Sequence, residues 1–105
     1  MTPFVIVFTT FPADHDADPL ARTLVEERLA ACVNVLAPMK SVYRWKGAVE
    51  EAAERQMIIK TARANVTQLQ RRLKELHPYD VPEFLVIGVD EGSEPYLEWL
   101  TSAVQ

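Results

Sequence analysis

Phe4-Val5-Ile6-Val7-Phe8 decides how the rest of this chain is read. Five apolar residues, three of them β-branched, run without polar alternation, the pattern of a strand buried on both faces. Such a strand belongs in the middle of a sheet. Thr9 to Asp16 then supplies turn chemistry, and Asp18-Pro19 predicts a helix start, with Asp18 as cap and Pro19 as first helical residue. Leu20, Ala21, Leu24, Val25 and Leu29 fall on one stripe of that helix.

Working outward, Ala31 to Leu36 reads as a second strand that Pro38 interrupts or bends. Ser41-Val42-Tyr43-Arg44-Trp45-Lys46-Gly47 alternates large aromatics with cations, as in an extended hairpin arm with Gly47 at its turn. Glu54 to Thr61 is a third strand centred on Met57, Ile58 and Ile59. Asn65-Val66-Thr67-Gln68 has capping-box spacing, and Val66, Leu69, Leu73 and Leu76 follow at helical intervals. Pro78 disfavours helical geometry in the residue before it, so this helix stops near His77. Phe84 to Val89 gives a fourth strand, and Glu94 to Val104 a short terminal helix presenting Leu97 and Leu100. The class is α+β. The order β-α-β-β-α-β plus a C-terminal helix is the split βαβ, or ferredoxin-like, sandwich.

Two helices cover only one face of a four-stranded sheet, yet three of the strands are apolar on both faces. A bare second face would leave an apolar patch that soluble monomers rarely tolerate, so self-association with closed symmetry is expected. These patterns alone leave the number of subunits open.

At 105 residues the chain makes one domain, residues 1–105, with one core. Hydrophobic residues at 49% and charged residues at 25% are ordinary for a globular protein. A net charge of −4 argues against nucleic acid, which needs clustered Lys and Arg. The most basic cluster, Gln70-Arg71-Arg72-Leu73-Lys74, is a solvated helix face balanced by Glu75. One cysteine cannot form an intrachain disulfide, which points to a reducing compartment. The longest apolar run, Phe4 to Phe8, is far below the span of about 20 residues a membrane helix needs, and no basic residue precedes it. A cytoplasmic protein is expected.

Two distant segments hold the chemistry. Ala31-Cys32-Val33-Asn34 carries the only thiol, and His77-Pro78-Tyr79-Asp80-Val81-Pro82-Glu83 gathers an imidazole, a phenol and carboxylates. Cys32 reads either as a small buried hydrophobe or as a thiolate ligand for copper or zinc. His77 is its candidate partner, with packing or pH sensitivity as the competing role beyond a helix C-terminus. Glu83 either orients His77 and completes a metal shell, or pairs with Lys60 or Arg44. Tyr79 either hydrogen-bonds within the cleft or packs half-buried. Tyr43 and Trp45 are expected to anchor a neighbouring subunit. His15, among Asp14, Asp16 and Asp18, reads as a solvated loop and lacks calcium-loop or zinc spacing. Cys32 and His77 could formally act as nucleophile and base, but no nucleophile elbow, phosphate loop or HExxH helix accompanies them, so no enzyme is expected.

The ordered segments Thr10-Phe11-Pro12, Leu29-Ala30-Ala31-Cys32-Val33-Asn34, Tyr43-Arg44-Trp45-Lys46-Gly47, Met57-Ile58-Ile59-Lys60-Thr61, His77-Pro78-Tyr79 and Tyr96-Leu97-Glu98-Trp99-Leu100 resemble the CutA family of divalent-cation tolerance proteins, nearly end to end. The resemblance implies a homotrimer with inward-facing sheets and a protein of metal tolerance or metal response. It implies binding of a divalent cation, copper first, with Cys32, His77 and Glu83 as the candidate ligands and Tyr43, Trp45, Lys60 and Tyr79 lining the cleft or interface. Some relatives carry a second cysteine near the end of the first strand, where this chain reads Thr9-Thr10, so no two-thiolate site is expected within one protomer. The alternative is a trimeric signalling module similar to the PII regulators, binding a small effector between subunits. No organic cofactor is implied.

Overall fold

The computed structural model describes residues 1–105. Strand β1 (Phe4–Pro12) is followed by helix α1 (Asp18–Glu26) and the long strands β2 (Cys32–Trp45) and β3 (Ala48–Ala62). A 3₁₀ turn at Arg63–Asn65 then leads into helix α2 (Val66–Leu76), strand β4 (Leu85–Gly88) and helix α3 (Glu94–Ala103). The sheet order is β2-β3-β1-β4, every pair antiparallel. β1 is therefore central, as its unbroken apolar run demands.

Side-chain alternation along β1 divides the molecule into two faces. Val5, Val7 and Phe11 point one way and join Met57 and Ile59 of β3 with Leu20, Ala21 and Leu24 of α1 and Leu69 and Leu73 of α2. This is the main core. Complete burial of side chains such as Leu24, Leu69 and Leu73 contributes about 1.5–3 kcal/mol each. The opposite residues, Ile6 and Phe8, share their face with Ile58 of β3 and with Leu85 and Ile87 of β4. Only one end of that second face is roofed, where α3 sets Leu100 against Phe4 and Ala31. Leu85 and Ile87 stay 57% and 50% exposed. One sheet face is thus open in the single chain, as the excess of apolar residues anticipates.

The arm is longer than its sequence signal. β2 and β3 form one hairpin closed by Lys46–Gly47, whose φ values of 50° and 81° are both positive, the pattern of a two-residue type I′ turn. β1 reaches only as far as Glu54 on β3, so Lys40–Trp45 and Ala48–Ala53 project as a two-stranded ribbon. Pro38 does not break β2. The register shifts between Val35 and Pro38, a bulge, and Arg55 Nη1 donates to the Leu36 carbonyl at 3.1 Å. An edge strand tolerates proline because its outward side needs no donor.

Both helix starts differ from expectation. α1 is capped by Ala17, while Asp16 Oδ1 accepts the Asp18 N–H at 3.0 Å and Asp18 pairs with Arg22 inside the first turn. Asn65 makes no capping bond, because the 3₁₀ turn already gives it helical angles (φ −94°, ψ −4°) instead of the extended ones that aim a cap side chain at the helix. Leu29 is buried just beyond α1, where Arg28 turns the chain at φ 61°. No helix is long and apolar enough to cross a membrane.

Candidate functional site

The segment from His77 to Phe84 runs from the end of α2 to β4. β4 pairs with β1 only over Val5–Phe8, so beyond Phe8 the edge of β1 has no second strand. The imidazole of His77 takes up that position. It is buried, at 8% exposure, and its Nε2 lies 2.6 Å from the Thr10 carbonyl oxygen. Nδ1 accepts the backbone N–H of Tyr79 at 3.1 Å, which assigns the proton to Nε2 as donor to Thr10. Phe11 and Tyr79 close over the ring with centroids 5.1 and 5.0 Å away. Burial pushes the imidazole below its usual 6.5, against the opposing pulls of the Thr10 carbonyl and the Glu54 charge.

Pro78 then directs the chain so that the Tyr79 hydroxyl donates to Glu54 Oε2 at 2.8 Å. Glu54 is itself buried. Burial first, then the hydrogen bond and charge of Glu54, raise the phenol far above its ordinary value of 10.0. Glu83 does not pair with Lys60 or Arg44. Its Oε2 accepts Gln56 Nε2 at 3.0 Å, and the same nitrogen donates to the Thr9 carbonyl at 2.8 Å. Lys60 lies over the Tyr96 ring at 5.9 Å, and Arg44 Nη1 donates to the Gly47 carbonyl at 3.5 Å. The ion pairs expected for Glu83 fail because neither cation points its way.

Cys32 opens β2 opposite Lys60, a free and partly exposed thiol on the same side as Ile58. Lys60 in turn pairs with Ile6, four residues before Thr10, so Cys32 and His77 are displaced by about 13 Å along the strand direction. They also flank different edges of the sheet. The donors that a divalent ion would need therefore do not converge within one chain, and no group of three or more His, Cys, Asp or Glu residues stands where it could hold a metal. His15 pairs with Asp14 alone, at 2.9 Å in an exposed loop. Tyr43 and Trp45, 40% and 48% exposed, stand out on the ribbon.

Glu54 and Gln56 were not among the expected site residues, yet they anchor Tyr79 and Glu83. The signal was parity: both lie an even number of residues from Ile58 and so share the uncovered face with Lys60.

Residues 5–103 match the family model described as CutA1 divalent ion tolerance protein. The chain is 46% identical over 96 residues to the divalent-cation tolerance protein CutA of Pyrococcus horikoshii, covering 91% of this chain and 93% of that one. The crystallised divalent cation tolerance protein (Cut A1) of Thermus thermophilus superposes with a TM-score of 0.93 at 41% identity, over 97% of this chain and 99% of that one. CutA1 of Oryza sativa superposes at 0.94 with 38% identity, over 99% and 95% respectively. An end-to-end family match, relatives above 40% identity and the same fold over nearly the whole length agree: the chain belongs to the CutA1 divalent ion tolerance protein family.

Proposed function

We propose that this protein acts in metal tolerance by binding a divalent cation, copper first, at junctions between the subunits of a closed homotrimer, and that it works by binding rather than catalysis. The observation that carries this reading is the placement of Cys32 and Glu83. Cys32 lies on β2, one edge of the sheet, and Glu83 immediately precedes β4, the other edge, with β3 and β1 between them. Three strand spacings, about 14 Å, separate those edges within one chain. A cyclic assembly uses heterologous contacts, in which one patch of each subunit meets a different patch of the next. A ring closed edge to edge brings the β2 edge of one chain to the β4 edge of its neighbour, and with them a thiolate and a carboxylate. The open face supports the same reading, since Leu85 and Ile87 beside β1 need cover. The ribbon adds a second reason, because an isolated two-stranded hairpin is marginal in water and this one carries Tyr43 and Trp45 outward.

A thiolate in the donor set favours copper over nickel, cobalt and manganese, with zinc weaker than copper. Titration calorimetry with each ion tests this, on the parent and on Cys32→Ala and Glu83→Gln. Both substitutions are expected to weaken copper binding while the assembly persists. Unchanged binding in both would remove the proposed site. A thermal shift with a small metabolite or nucleotide, and none with any divalent ion, would favour the effector-binding alternative.

A further inference from the structure

We propose that His77 is a positioning residue and not a metal ligand: its imidazole clasps the segment 78–84 onto β1 and thereby sets where Glu83 stands. The consequence for metal binding rests on the role of Glu83 proposed above, whereas the clasp itself does not.

A metal needs a nitrogen lone pair, and a neutral imidazole has one. Here it belongs to Nδ1 and already accepts the Tyr79 N–H, while Nε2 spends its proton on the Thr10 carbonyl. Ligation would require breaking one of these bonds inside a site packed by Phe11 and Tyr79. The segment has few other anchors. Residues 78–84 make no backbone–backbone hydrogen bond among the turn and loop contacts, and Pro78 and Pro82 have no N–H to give. Its ties are side-chain bonds: His77 to Thr10 and to the Tyr79 amide, Tyr79 to Glu54, and Gln56 to Glu83. His77 supplies two of these four and sits nearest the helix that starts the segment. The Nδ1 contact to the amide two residues on is the geometry by which Asn and Asp side chains close turns.

The test compares His77→Ala with His77→Gln, whose side-chain amide can still donate to Thr10 but is a poor copper ligand. Two readouts are followed, exchange of the Tyr79 amide proton and copper(II) affinity, with the electron paramagnetic resonance spectrum of the bound copper as a third. His77→Ala is expected to speed Tyr79 exchange by on the order of tenfold, the effect of losing its hydrogen-bond acceptor, and to weaken copper binding. His77→Gln is expected to keep most of the affinity, with a copper spectrum unchanged from the parent. Two results would overturn the proposal: Gln losing copper as completely as Ala, together with a nitrogen hyperfine pattern present only in the parent, or unaltered Tyr79 exchange in His77→Ala. If His77→Ala does not fold, His77→Gln and the parent spectrum still decide the matter. A parent that binds no copper defeats the metal reading alone, and Tyr79 exchange then judges the clasp.

Discussion

The same substitution at two buried threonines is expected to move stability in opposite directions. Thr9 of β1 and Thr61 of β3 are both 0% exposed and both face the helices, one beside Met57 and the other beside Val5. Thr61 Oγ1 donates to the Leu29 carbonyl at 2.7 Å, whereas Thr9 Oγ1 has no partner. An unpaired buried hydroxyl costs about 1–3 kcal/mol. Valine has nearly the same shape and suits a strand, so Thr9→Val is expected to stabilise by about 1–2 kcal/mol. Thr61→Val leaves the Leu29 carbonyl without its donor and is expected to destabilise by about 1–3 kcal/mol. Because β-propensity and volume change equally in the two variants, the difference between them isolates the hydrogen bond. Urea denaturation at one fixed protein concentration measures it, since association shifts apparent stability with concentration. If Thr9→Val is no more stable than the parent, the hydroxyl has a buried partner and the reasoning fails.

Three further expectations concern the site, the ribbon and its turn. His77 titrates below 6.5 in the folded chain, so as pH falls through the unfolded value near 6.5 the unfolded chain gains a proton that the folded chain refuses. Stability should therefore fall below pH 6.5 and level off beneath the folded pKa, and a pH series on His77→Gln should lack this component. Trp45→Ala should cost about 2 kcal/mol or more of assembly if the ribbon docks on a neighbour, read from the dissociation profile on dilution; an unchanged profile would make Trp45 ordinary surface. Gly47→Ala meets no atom within 4 Å, so its cost of about 1 kcal/mol should come from the left-handed backbone at φ 81° alone, and a neutral result in denaturation would show that the turn relaxes.

Much of the fold was legible because burial writes itself into pattern. Phe4 to Phe8 announced a central strand, and the apolar stripes of α1 and α2 named Leu20, Leu24, Leu69 and Leu73 as core. The limits were less legible. Thr9 to Pro12 reads as turn chemistry, yet pairing with Glu54–Met57 holds it extended, a tertiary contact outweighing local preference. Pro38 looked like an end of β2 because its tolerance depends on edge position, which only the assembled sheet reveals. The candidate site divides along the same line. Residue chemistry singled out Cys32, His77, Tyr79 and Glu83, but not how far apart the sheet holds them, since separation across strands depends on register. Glu54 went unnoticed because a carboxylate at the start of a strand normally meets solvent, and here Tyr79 covers it.

Assembly is the hinge of the functional account, for a chain whose candidate ligands flank opposite edges of its sheet holds a metal only by sharing it. Light scattering on the purified chain, across a dilution series, tests this most directly. The account predicts a mass near three times the 11.9 kDa of one chain, maintained on dilution. A stable monomer would contradict it, leaving the face around Leu85 and Ile87 uncovered and Cys32 and Glu83 without a shared site.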